Sequence, residues 1–163
     1  STYRTMSSFK DGIFAGLKSG IIYFIIASIV NVIIIYIFSA EFAYAYGYAV
    51  TSHNLSLFFT VLSVSQVRDI FILGLVFGVF YSILLAKYYD MIPRNTLDGK
   101  IKFMVIVYWL IFFVLITIYS LGLVLTYDLI YYVIIYIVAN FFLSLFFGSL
   151  LKKYNSRYLT QSA

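Results

Sequence analysis

The chain has 163 residues, the length of one domain, yet 64% of them are hydrophobic and 10% charged, against roughly 45 to 50% and 25% in soluble domains. That composition excludes a soluble globular protein and predicts an all-α integral membrane protein in a single membrane domain, 1–163. With no cysteine, disulfide frameworks, thiolate metal sites and iron–sulfur clusters are excluded too, and one proline amid abundant Ile and Tyr gives an archaeal-like composition.

The N-terminal "STYRTMSSFKDG" is polar, and the first apolar run is too long for a signal-peptide core, so the first span is expected to stay in the mature chain. That run, 19–40, is followed by others at 70–89, 103–125 and 129–151, of 22, 20, 23 and 23 residues. A helix rising about 1.5 Å per residue needs about 20 residues to cross a hydrocarbon core of roughly 30 Å, so each run suffices. The runs are continuous rather than alternating, which favours helices over barrel strands.

On the first predicted helix, "DGIFAGLKSG" places Gly12, Gly16 and Gly20 at i, i+4 and i+8. On the second, "GLVFGVFYSILLA" places Gly74, Gly78, Ser82 and Ala86 on one stripe. Small residues let apolar helices approach closely in lipid, so the two ladders predict an antiparallel hairpin, with a protomer interface as the alternative use of one ladder. The fourth helix carries a mixed stripe of Asn140, Ser144 and Gly148. Asn31 and Asn140 both fall near mid-span, where an amide facing lipid would be unsatisfied, so both are expected to face protein and join helices. Lys18, at the edge of the first span, is expected to snorkel to the interface.

Between the first two spans lies the 41–69 connector, which begins "EFAYAYGYAV" and has 29 residues, against 3 between the last two spans. Such a length without structure would be unusual. Leu55, Phe58, Phe59 and Leu62 recur at i, i+3, i+4 and i+7, and "TSHN" offers N-cap chemistry just before, which predicts an external amphipathic helical insertion. Tyr44, Tyr46 and Tyr48 alternate with small residues, and helix is favoured over strand because no strand partner is evident. These rings, with Phe58 and Phe59, form the expected partner-docking surface.

A faint echo links "DGIFAGLKSGIIYFIIASI" with "DGKIKFMVIVYWLIFFVLITI", and "SILLAKYYD" with "SLLKKYNS", as though two hairpins shared one orientation. Of the eleven Lys and Arg, ten fall in the segments flanking one side of the spans, and only Arg68 falls opposite with Glu41, Asp69 and Asp128. The positive-inside rule then predicts both termini, with tails 1–11 and 152–163, to be cytoplasmic at the plasma membrane. The same topology accounts for the +5 net charge without nucleic acid, with anionic lipid headgroups as sufficient partners.

Chemistry-bearing residues are sparse. One histidine cannot supply bis-histidine haem ligation, and Met6, Met91 and Met104 lie on the side opposite His53. Glu41, His53, Asp69 and Asp128 share a side but follow no compact ligand spacing, so no metal site is expected. "MIPRNTLDGK" reads as a polar turn, and Tyr108 and Trp109 as interfacial belt residues, with quinone or lipid binding beside them as the other reading. No nucleophile triad or phosphate-binding loop is present, and no acid or base lies in the interior of a span. The expected function is that of a non-enzymatic subunit, without cofactor, in a larger membrane assembly such as an energy-transducing complex. The alternative is a small homo-oligomeric channel or transporter lined by Ser28, Asn31, Asn140 and Ser144.

Overall fold

A computed structural model describes residues 9–45, 52–119, 122 and 129–159. Tyr46, Tyr48, Met6, Asp128 and the ends of both expected tails lie outside the described residues. The elements in chain order are α1 (Phe9–Ile37), α2 (Ser39–Ala45), α3 (Ser52–Lys87), a 3-10 turn (Tyr89–Met91), α4 (Leu97–Trp109), a π-helical stretch (Leu110–Leu115), α5 (Ile116–Tyr119) and α6 (Ile130–Leu159). The described chain is all-helical, and four stretches of it, Phe9–Ile37, Leu55–Lys87, Leu97–Tyr119 and Ile130–Ser156, are long and apolar enough to cross a membrane.

Many Ile and Val residues, poor helix formers in water, sit in these helices. In an apolar medium the backbone must satisfy its own N–H and C=O groups, and a helix does so within one segment, which outweighs tenths of a kcal/mol of propensity.

Contacts fix the directions of the helices. Gly12 meets Ile83 and Gly20 meets Gly74, so α1 and α3 run antiparallel. Asn31 meets Asn140 and Tyr23 meets Phe147, so α6 also runs against α1. Lys152 meets Asp98 and Trp109 meets Ile137, so α4 runs against α6. The most extensive interface joins α1 to α3, followed by α1 with α6 and α4 with α6. Where α3 faces α4, aromatic side chains fill the space: Phe77 packs on Tyr108 and Phe112, and the Tyr81 hydroxyl donates to the Met104 carbonyl at 2.9 Å.

The 41–69 connector differs from the expected separate insertion. Helix α2 prolongs α1 almost without a break, with the Phe38 N–H bonded to the Ile34 carbonyl and the Phe42 N–H to the Phe38 carbonyl. The Leu55 to Leu62 segment is helical, but it is the first part of the 36-residue α3 rather than a helix of its own. Arg68 and Asp69 end the hydrophobic run, yet neither they nor their neighbours break a helix. No Gly or Pro lies between Ser52 and Leu73, so backbone hydrogen bonding runs straight through the charged pair. Helices thus claim residues 41–45 and 52–69 of the connector.

A second departure is the π-helical stretch within the third expected span. A π turn adds a residue to the local winding and turns the next side chains about the axis. Here consecutive Phe112 and Phe113 both reach rings of neighbouring helices, Phe112 at Phe77 and Phe113 at Tyr136.

Candidate functional site: the glycine seam and the polar core

Glycines remove side chains where α1 crosses α3. A Cβ on Gly16 would lie 2.4 Å from the Val79 Cα, one on Gly20 2.5 Å from the Gly74 carbonyl oxygen, and one on Gly78 2.5 Å from the Gly16 carbonyl oxygen. Those distances are shorter than any carbon contact allows, and the obstacles are backbone atoms that cannot rotate aside. Gly12 and Gly74 are tight at 3.3 Å and 3.2 Å. Ser82 and Ala86, fully buried on the same helix, continue beyond this crossing, and the Ser82 hydroxyl accepts from Asn155 Nδ2 of α6 at 3.1 Å. Gly148 serves the α4–α6 contact, where its Cβ would stand 3.0 Å from Ile101 Cγ2.

The two amides expected to join helices bond to each other. Asn31 Nδ2 donates to Asn140 Oδ1 at 3.0 Å, and Asn140 Nδ2 donates to Asn31 Oδ1 at 2.9 Å. Each amide also donates to the carbonyl one turn back, Ala27 and Tyr136 respectively, both at 2.8 Å. Two donors and one acceptor are therefore used on each side, and Ser144 Oγ donates to the Asn140 carbonyl at 2.8 Å. This closed pair is 1% and 0% exposed.

One step toward the lysine-rich end, the Tyr23 and Tyr108 hydroxyls share a hydrogen bond of 2.9 Å, and the Tyr23 ring stacks on Phe147 with centroids 4.5 Å apart. Tyr108 is fully buried and the Trp109 Nε1 donates to the Ile137 carbonyl at 3.0 Å, so both residues belong to helix contacts rather than to an outward belt. Lys100, counted by sequence as a loop charge, is 5% exposed, because its Nζ donates to the Ile92 carbonyl at 2.6 Å and lies over the Tyr89 ring. Sequence reasoning missed the Tyr23–Tyr108 and Ser82–Asn155 pairs. Their partners are 85 and 73 residues apart, and nothing in either segment alone marks the other.

Of the residues expected to dock a partner, Phe59 packs edge-on against Tyr36 of α1 with centroids 5.5 Å apart, Phe58 is half-buried, and Tyr44 is exposed. Phe42 of α2 packs on Tyr132 beside buried Leu129 and Val133. His53, Glu41 and Asp69 are exposed, and among the described residues no three His, Asp or Glu side chains converge as a metal site would require. Among the described residues, the side-chain oxygens of Ser28 and Ser63 are shielded from solvent without a hydrogen-bond partner.

No protein-family model, curated protein or solved structure matches the chain.

Proposed function

We propose that this chain is a non-enzymatic structural subunit of a larger membrane assembly, built as two antiparallel transmembrane hairpins with both termini on the cytoplasmic side of the plasma membrane. Lys10, Lys87, Lys102 and Lys152 gather at one end of the bundle, as contacts of Lys87 with the Phe9 ring and of Lys152 with Asp98 require, and the positive-inside rule makes that end cytoplasmic. The three buried amides, Asn31, Asn140 and Asn155, each bond across to another helix, which suits a scaffold better than a conduit.

One observation carries the subunit reading. Helix α3 has 36 residues and a length of about 54 Å, well beyond a hydrocarbon core of roughly 30 Å. With the Arg68–Asp69 pair, 66% and 54% exposed, at the outer boundary, the first part of α3 projects past the lipid. On that projection Leu57, Val61 and Val64 form a stripe that is 46%, 56% and 65% exposed. An apolar stripe at i, i+4 and i+7 outside the hydrocarbon is stabilised when another protein covers it. Glu introduced at Val61 meets solvent in the isolated chain and leaves the bundle intact, but in the assembly it would have to be buried. Val61→Glu is therefore expected to release companion proteins from gently solubilised membranes while the variant remains inserted. Companions that stay bound would sink the docking assignment.

A further inference from the structure

The lysine-rich end holds a groove of about 440 Å³ between α4 and α6, away from the glycine seam and from the projecting part of α3. Its apolar wall is made by Ile101, Val105, Leu145 and Gly148, and its rim by Lys102, Lys152, Lys153 and Asp98. We propose that this groove is a binding site for one anionic phospholipid, with the phosphate among the lysines and an acyl chain along the apolar wall.

Charge and position both select this occupant. Lys152 Nζ lies 2.8 Å from Asp98 Oδ1, an exposed pair that consumes one positive charge. Lys102 and Lys153 form no ion pair among the described residues, and both are exposed on the rim. The groove is left with an excess of two positive charges, which favours a headgroup with a net negative phosphodiester over a zwitterionic one. A soluble anion would need only the rim. The wall, which runs a turn or more from the lysines toward the middle of α4 and α6, adds apolar contact that only a molecule with an alkyl chain can use. Gly148 permits the close approach of α6 to Ile101 and Val105 that forms this wall, since a side chain there would press on both. Basic pockets between transmembrane helices on the cytoplasmic side suit anionic headgroups for the same reasons. The site requires the membrane placement of the bundle but not its belonging to a larger assembly.

The test uses the full chain purified in a neutral detergent, with lipid binding measured by native mass spectrometry against added phosphatidylglycerol, phosphatidylcholine or free glycerol phosphate. The expected result is one tightly bound phosphatidylglycerol, weaker phosphatidylcholine, and little competition from glycerol phosphate. Each lysine near an anionic lipid is worth roughly fivefold in affinity, so Lys102→Gln with Lys153→Gln should weaken phosphatidylglycerol binding roughly thirtyfold. Lys10→Gln with Lys18→Gln removes the same charge from α1 and should leave that site unchanged. Asp98→Asn releases Lys152 to the lipid and should strengthen binding several-fold, a direction opposite to that of simple structural damage. Equal affinity for the two lipids, equal losses in the two lysine pairs, or weaker binding in Asp98→Asn would each overturn the site. Full displacement of the lipid by glycerol phosphate would overturn it too, and assign the groove to a soluble anion.

Discussion

At the residue scale, the reciprocal Asn31–Asn140 pair decides how α1 and α6 register. Each amide spends one donor on its own helix and one on the other, so truncating either residue strands a donor and an acceptor of its partner in an apolar interior. Such stranding costs about 1 to 3 kcal/mol, whereas removing both partners together leaves nothing unsatisfied. Asn31→Leu and Asn140→Leu should therefore each destabilise the bundle by about 1 to 2 kcal/mol, and the double variant by much less than their sum. Unfolding in mixed detergent micelles gives this coupling directly, and additive losses would mean that the amides act independently. That both residues face protein was legible in the sequence, because lipid cannot satisfy an amide. That they face each other was not, since mid-span depth alone does not distinguish among neighbouring helices. Lys100 was less legible: by sequence it belonged to a polar turn, while the chain brings it back onto the Ile92 carbonyl and the Tyr89 ring.

At the scale of elements, the α1–α3 crossing depends on absent side chains. A methyl group at Gly16 or Gly78 would stand 2.4 Å or 2.5 Å from backbone of the facing helix, so the helices must separate and lose dispersion contacts along the seam. Gly16→Ala and Gly78→Ala are expected to lower stability by about 1 to 3 kcal/mol each. Gly122 offers the comparison, because a methyl group there meets nothing within 4 Å among the described residues, and Gly122→Ala should stay within about 0.5 kcal/mol of the parent. Thermal unfolding of the three variants in one detergent checks this, and similar midpoints for all three would mean that the seam does not hold the two helices together. The ladders were readable because i, i+4 spacing puts small residues on one helical face whatever the partner. Helix ends were less readable: a hydropathy boundary marks where lipid stops, and α3 begins eighteen residues before the span expected from position 70. The π-helical stretch left no mark in "LIFFVL", and the rings it meets, Phe77 and Tyr136, lie on α3 and α6, far off in sequence.

At the scale of the whole molecule, the four long helices pack together with apolar faces turned outward. On α1 the outward stripe is Ile21, Ile25, Ile29 and Ile33, each 45% to 54% exposed, which lipid alone can cover. On the proposed placement of the Arg68–Asp69 pair at the outer boundary, the stripe of Leu57, Val61 and Val64 lies past the lipid and calls for protein. On the proposed function, this chain works inside an assembly of unlike subunits. The direct measurement is the mass and composition of the particle that contains the chain after gentle extraction from its native membrane. The expected particle holds this chain together with different polypeptides in fixed proportion. A particle made only of copies of this chain would contradict that reading and favour a homo-oligomeric channel or transporter.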